Sequence, residues 1–147
     1  MNITFYTKVF ETLTCTELYE FLQLRSEIFV VEQNCPYQDL DNVDLYCTHV
    51  MGYYENKLIA YGRIVPPKVK YSDASLGRIV VKKEYRKHKL GKKLIEFILS
   101  ELKMKFPNEK IRISAQSYLL DFYKDFGFIQ VSEEYLEDAI PHCEMVL

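Results

Sequence analysis

The sequence contains no tryptophan, and glycine and proline occur only five times each in 147 residues. These low counts exclude collagen-like and low-complexity chains, in which those two residues dominate. No apolar run approaches the roughly eighteen residues that a membrane-spanning helix needs. The N-terminus also lacks the basic and apolar regions of a secretion signal. We therefore expect a cytoplasmic protein that has no contact with a membrane.

No C-x-x-C pair occurs among the four cysteines, which are Cys15, Cys35, Cys47 and Cys143. A chain without a secretion signal usually keeps its thiols reduced. Cys47 lies close to His49, and His142 precedes Cys143, but zinc sites normally combine two pairs of closely spaced ligands. The cysteines therefore predict reduced thiols and no bound metal.

The composition, with 48% hydrophobic and 27% charged residues, is typical of a globular protein. At this length we expect a single domain over residues 1–147, which can bury about two-thirds of its unfolded surface. The formal charge of −2 argues against a nucleic-acid binder, but basic and acidic residues are concentrated in different parts of the chain. Seven of the 19 basic residues lie between Lys82 and Lys93, and four of the 21 acids lie between Glu32 and Asp44.

Apolar periodicity and turn residues predict the order β-α-β-β-β-α-β-α-β-β, an α/β fold with a mixed sheet flanked by helices. A capping box formed by Thr14 and Glu17 begins the first helix, Asn56-Lys57 forms a hairpin turn, and Gly127 ends the last helix. The predicted strands are 3–10, 50–55, 58–65, 75–81, 111–115, 128–135 and 143–147, and the helices are 14–29, 91–106 and 118–126.

The junction between the strand Ile79–Val81 and the helix beginning near Gly91 is strongly basic. A helix N-terminus directs unpaired backbone amides and the positive end of the helix dipole at one point, which suits a diphosphate. Gly91 leaves the backbone open to close approach. The segment is neither a Walker A loop nor a Rossmann fingerprint, because it contains only one glycine.

Two motifs in this half resemble those of the GNAT N-acetyltransferase superfamily. Arg86-x-x-Lys89-x-Gly91 is similar to the family's acetyl-CoA diphosphate loop, with Lys89 in place of a glycine. The second motif is Gln116-x-x-Leu119-x-x-Phe122-Tyr123-x-x-x-Gly127-Phe128. Leu24-Arg25, the segment 29–39, His49 and Pro141-His142 further resemble the ElaA-like branch, so the likeness covers almost the whole chain.

The resemblance implies the GNAT fold, with a mixed, mostly antiparallel sheet flanked by helices. It also implies acetyl-CoA as co-substrate and acetyl transfer to a primary amine of a small molecule or peptide, by direct attack in a ternary complex. The residues it assigns to acetyl-CoA are Ile79, Val80 and Val81 through main-chain groups, the loop residues Arg86, Lys87, His88, Lys89, Leu90, Gly91 and Lys92, and also Gln116 and Tyr123.

For the chemistry, the resemblance assigns Tyr123 as the general acid that protonates the leaving thiolate. A phenol, with an ordinary pKa of about 10, holds its proton at neutral pH. Removing a proton from the amine requires a base, and the base candidates are Glu32 and His142, followed by Glu144 and His49. The acidic segment 32–44 suggests an electrostatic attraction for a cationic amine.

Three alternatives remain open at this stage. One is an acyltransferase similar to acyl-homoserine-lactone synthases, and the others are non-enzymatic modules that bind acyl-CoA or nucleic acid. Glu84 interrupts the basic cluster and the isoelectric point is about 5.9, which argues against nucleic acid. The closing strands could also pair across a homodimer.

Overall fold

The structure, a computed structural model, describes all residues from Met1 to Leu147. Its eight strands are β1 Thr4–Val9, β2 Thr48–Tyr54, β3 Lys57–Val65, β4 Ser75–Val81, β5 Arg112–Gln116, β6 Ile129–Gln130, β7 Tyr135–Glu137 and β8 Ile140–Val146. Its three α-helices are α1 Cys15–Arg25, α2 Leu90–Lys105 and α3 Leu120–Lys124. A π-helical segment, Ser26–Glu32, continues α1. None of the helices has the length and apolarity of a membrane span.

The strands form two antiparallel groups that meet at a single point. One group has the order β1-β2-β3-β4, and the other has the order β5-β8-β6 with β7 also paired to β8. The bridge between Ala74 and Ile111, just before β4 and β5, is parallel. The predicted mixed, mostly antiparallel sheet flanked by helices is confirmed.

The two long helices pack on opposite faces of the first group. The apolar stripe of α2, including Leu94 and Ile98, packs against β2 and β3. On the other face, Phe21 of α1 packs against Tyr61 with ring centroids 4.4 Å apart. Gly62 in β3 allows α2 to approach closely, because a Cβ there would lie 2.6 Å from Cδ1 of Ile98.

Local sequence signals at three element ends agree with the structure to within one residue. The capping box is present: Thr14 Oγ1 accepts from the Glu17 amide at 3.1 Å, and the Glu17 carboxylate accepts from the Thr14 amide at 2.8 Å. Gly127 has the left-handed conformation predicted for it, with φ of 101°. The β2–β3 turn lies one residue earlier than predicted, at Glu55 and Asn56, which both have positive φ.

The predicted closing region is wrong in detail. The single strand predicted over 128–135 is divided into β6 and β7, and β8 begins at Ile140 rather than at 143. The β7–β8 turn consists of Asp138 and Ala139, with φ of 50° and 63°. Tight hairpins with two positive φ angles usually contain glycine, so this turn leaves no clear sequence signal.

A buried ion network fixes the long segment between the π-helical segment and β2. Asp44 Oδ1 accepts from Arg25 Nη1 at 2.8 Å and from Arg63 Nη1 at 2.9 Å, and both arginines are fully buried. Burial alone would raise the pKa of Asp44, but the hydrogen bonds and charges of the two arginines lower it below its usual value. Asp44 therefore bridges two guanidinium groups from different elements, and Asp39 and Asp41 supply the second carboxylate contact of Arg25 and Arg63 respectively.

We predict that Asp44→Asn lowers the free energy of unfolding by about 3–5 kcal/mol, because it removes the carboxylate shared by two buried arginines and leaves their charge incompletely balanced. Urea denaturation at neutral pH measures this change. Asp125→Asn, which makes the same substitution at an exposed position, is the matched control and should change stability by less than about 0.5 kcal/mol. Equal effects of the two substitutions would contradict the role of the network.

Candidate active site

The divergence of β4 from β5 beyond their single bridge opens a cleft of about 160 Å³. Gly77, Arg78 and Ile79 of β4 line one wall, and the segment 113–116 of β5 lines the other. Four of the predicted site residues line this cleft together: Ile79, Gln116, Tyr123 and His142. The side chain of Val80 is buried on the α1 side of the sheet, so only its backbone could serve a ligand in the cleft.

A β-bulge deforms β4 where it borders the cleft. The register passes from Tyr61–Val80 to Arg63–Gly77, so that Gly62 alone faces both Arg78 and Ile79. Arg78 has φ of 52°, a left-handed conformation that is uncommon for a non-glycine residue. A bulge leaves an extra residue outside the ladder of hydrogen bonds. Backbone groups of β4 are therefore available at the wall of the cleft.

The acidic segment holds this bulge through Arg78. The guanidinium of Arg78 is 2.8 Å from Asp39 Oδ1 and 3.3 Å from Asp41 Oδ2, and it lies over the ring of Tyr37. Asp41 also contacts Arg63 at 2.7 Å. The suggestion that this segment attracts a cationic amine is therefore wrong for its aspartates, because buried or half-buried arginines already neutralise them.

The basic junction folds as a 3-10 turn, Lys83–His88, followed directly by α2. Lys89 has φ of 56° and ψ of 29°, so it adopts the left-handed conformation that glycine favours. A lysine thus retains the backbone path expected of a glycine at this place in the motif. No side chain caps the start of α2, and a Cβ at Gly91 would have no neighbour closer than 4.0 Å. The first-turn amides are therefore open to an anion.

Arg86 connects this junction to the π-helical segment Ser26–Glu32. Its Nε donates to the Val81 carbonyl at 3.0 Å, and its Nη2 donates to Glu32 Oε2 at 2.6 Å. Glu32 does not line the cleft. The structure thus places this base candidate in an ion pair beside the basic turn, away from Tyr123 and His142.

Tyr123 lies in α3 with its ring buried against Phe122 and Phe128. Burial, with a smaller contribution from Tyr118, raises the pKa of the Tyr123 phenol above its ordinary value. The phenol therefore remains protonated at neutral pH, as a proton donor must.

Only one of the other three base candidates borders the cleft. His49 is fully buried between Tyr61 Oη at 2.7 Å and the Asp44 carbonyl at 2.9 Å, and desolvation by burial lowers its pKa. Glu144 is 3.7 Å from Arg112 and lies outside the cleft. His142 is buried, lines the cleft, and has Nδ1 2.7 Å from the Ile140 carbonyl.

Sequence reasoning missed a group of polar residues beside His142. Glu137 Oε2 is 3.4 Å from His142 Nε2, and Ser114 Oγ contacts both Glu137 and Tyr135. Tyr135 is stacked on the imidazole. The β7–β8 hairpin brings Tyr135 opposite His142 in register, but its turn contains no glycine, so no sequence signal pointed to this group.

The structure brings no three His, Cys, Asp or Glu side chains together as metal ligands. The candidate site consists of a cleft between two strands, an uncapped helix start, one protonated phenol and one imidazole.

The sequence and the fold are both similar to those of acetyltransferases. Residues 26–147 match the model of the acetyltransferase (GNAT) domain family. The ElaA protein of Escherichia coli is 41% identical over 135 residues, covering 90% of this chain and 88% of ElaA, and its crystal structure superimposes with a TM-score of 0.93.

Two further solved structures are similar to this chain. An acyl-CoA N-acyltransferase from Pseudomonas aeruginosa is 38% identical, with a TM-score of 0.94 and 99% coverage of both chains. A GNAT family acetyltransferase from Elizabethkingia anophelis, solved with acetyl-CoA bound, is 18% identical, with a TM-score of 0.67 and coverage of 99% of this chain and 95% of that one. At that identity the second likeness shows the fold alone.

Proposed function

Because the chain belongs to the GNAT acetyltransferase family, we propose that it transfers an acetyl group from acetyl-CoA to a primary amine by direct attack in a ternary complex. The observation that carries this proposal is the cleft between β4 and β5, which contains both Tyr123 and His142. The uncapped start of α2 follows β4 through the basic 3-10 turn Lys83–His88 and would provide the anion site. The acyl-CoA N-acyltransferase from P. aeruginosa supports the same donor class.

The proposed binding of acetyl-CoA uses backbone groups at both ends. The amides of the first turn of α2, from Leu90 to Lys92, would hold the diphosphate, since they have no side-chain cap. Main-chain groups of Ile79 and Val81 would hold the pantetheine arm and the carbonyl oxygen of the thioester. A donor to a developing oxyanion is typically worth about 3 kcal/mol in the transition state.

In the proposed reaction the neutral amine attacks the thioester carbonyl, so a C–N bond forms and the C–S bond breaks. His142 accepts the proton that leaves the nitrogen, and Tyr123 gives a proton to the leaving thiolate. Proton exchange with solvent then restores both side chains. We do not assign Glu32 as the base, because its carboxylate is paired with Arg86.

The test of the proposal combines binding and turnover. Thermal unfolding with acetyl-CoA, longer acyl-CoAs and an oligonucleotide identifies the ligand, and ligand at a hundred times its Kd should stabilise by about 2.7 kcal/mol. Thiol release is then followed across polyamines, amino acids, aminoglycosides and peptide N-termini. Stabilisation by acetyl-CoA with release for one amine class supports the proposal. Stabilisation by oligonucleotide alone, or by no acyl-CoA, refutes it.

We predict that Tyr123→Phe retains acetyl-CoA binding and lowers kcat by about 10²-fold or more, because the thiolate loses its proton donor. Calorimetry measures the Kd, and thiol release measures kcat. Tyr46→Phe, at an exposed tyrosine, is the control and should leave both unchanged. Undiminished turnover in Tyr123→Phe would exclude this residue as the acid.

We predict that Glu32→Gln tightens acetyl-CoA binding by up to about fivefold, because Arg86 no longer has a carboxylate that competes with the diphosphate. Glu27→Gln, at an exposed position of the same helical segment, should leave the Kd unchanged. Both values come from calorimetry at low ionic strength. A weaker affinity in Glu32→Gln would mean that the carboxylate instead orients Arg86 for binding.

A further inference from the structure

The surroundings of His142 determine which nitrogen of the neutral imidazole carries the proton. Nδ1 lies 2.7 Å from the Ile140 carbonyl oxygen, which can only accept a hydrogen bond, so Nδ1 carries a proton. In the neutral ring the lone pair is therefore on Nε2. Stacking on Tyr135, with the planes 21° apart, fixes the orientation of the ring.

Nε2 faces a carboxylate rather than a donor. Glu137 Oε2 is 3.4 Å away, longer than the roughly 2.7–2.9 Å of a charged hydrogen bond. While Nε2 carries no proton, no hydrogen bond joins the two groups. When Nε2 gains a proton, the same arrangement becomes an ion pair. The geometry therefore matches the state that follows proton removal from an amine.

Glu137 is itself held in place, although its side chain is 45% exposed. Ser114 Oγ on β5 is 3.4 Å from Glu137 Oε1, and the same hydroxyl contacts Tyr135. The β7–β8 hairpin pairs Glu137 with Ile140, whose carbonyl orients the imidazole. Backbone pairing thus fixes the carboxylate and the carbonyl on the two sides of one ring.

We propose that Glu137 is the positioning residue of the acceptor side, which holds His142 and stabilises its imidazolium when Nε2 takes the proton of the acceptor amine. This inference rests on the proposed function. In the step, the N–H bond of the amine breaks, its electron pair remains on nitrogen for the new C–N bond, and the proton moves to Nε2. Glu137 remains ionised and does not itself take the proton.

The charged and titratable groups that share the cleft with His142 come from every surrounding element. They are Cys35, Tyr37, Lys70, Arg78, Tyr118, Tyr123, Glu137 and Asp138, together with the stacked Tyr135. Of these carboxylates, Glu137 is the one in contact with Nε2. Arg78 is already paired with Asp39 and Asp41. Removal of Glu137 should therefore change the proton affinity of His142 directly.

The decisive experiment follows the titration of the three histidines by NMR in the wild type, Glu137→Gln, Glu137→Asp and Glu133→Gln, with His142→Gln to assign the signal. In Glu137→Gln the His142 titration should move to lower pH, because the imidazolium loses the carboxylate 3.4 Å from Nε2. Glu137→Asp should recover part of the shift. Glu133→Gln, an exposed acid of the same region, should leave it unchanged.

Kinetics on the acceptor identified by the amine screen supply the second measurement. Glu137→Gln should lower kcat by up to about fivefold and move the ascending limb of the pH–rate profile to lower pH, with the KM for acetyl-CoA unchanged. An unchanged His142 midpoint, or a rise in the acceptor KM with kcat and the pH profile unchanged, would overturn the proposal. The titration requires no turnover, so it measures the contact between Glu137 and His142 even in an inactive protein. A wild type that transfers no acetyl group would refute the proposed function alone.

Discussion

The parting of two neighbouring strands is the constraint on which the site depends. After the bridge between Ala74 and Ile111, β4 and β5 no longer pair, and the bulge at Arg78 deforms β4 beside the gap. Unpaired strand edges inside a protein leave backbone donors and acceptors that need partners. The cleft therefore combines backbone groups with space for a ligand, and the side chains of α3 and β8 complete it.

Charge is distributed so that the cleft keeps few free acids. The buried arginines Arg25 and Arg63 share Asp44, and each also contacts one of Asp39 and Asp41, which in turn both contact the bulged Arg78. These pairs hold the long segment before β2 against the rest of the fold. The acids that the sequence presents as one negative segment are thus neutralised one by one by residues distant in the chain. The basic turn before α2 keeps most of its charge at the surface.

The two proposed proton-transfer groups differ in how their surroundings set their protonation. Tyr123 is surrounded by aromatic rings, and burial is the main cause that raises the pKa of its phenol, with a smaller contribution from Tyr118, so the phenol remains protonated. The tautomer of His142 is set by direct contacts: a carbonyl holds the proton on Nδ1, and a carboxylate lies 3.4 Å from Nε2. Burial therefore keeps the phenol of Tyr123 protonated, whereas hydrogen-bonding geometry sets the tautomer of His142.

The sequence by itself determined the family, the order of the main elements and the position of the basic turn before α2. These features depend on local signals: the capping box at Thr14, the left-handed Gly127, the apolar stripe of α2, and a motif whose ligands are backbone amides. Such signals can be read within a few residues, because hydrogen bonds and helix periodicity operate at that range. The family assignment is confirmed by the domain match and by the relatives at 38–41% identity.

Only the tertiary structure decided which charged residues are paired and which border the cleft. Glu32 and His49 were reasonable base candidates by residue type, but Arg86 pairs with the first and the core encloses the second. No sequence signal pointed to Glu137, because the Asp138-Ala139 turn that positions it contains no glycine. Contacts between residues distant in the chain depend on strand register and helix packing, and neither is encoded within a short segment.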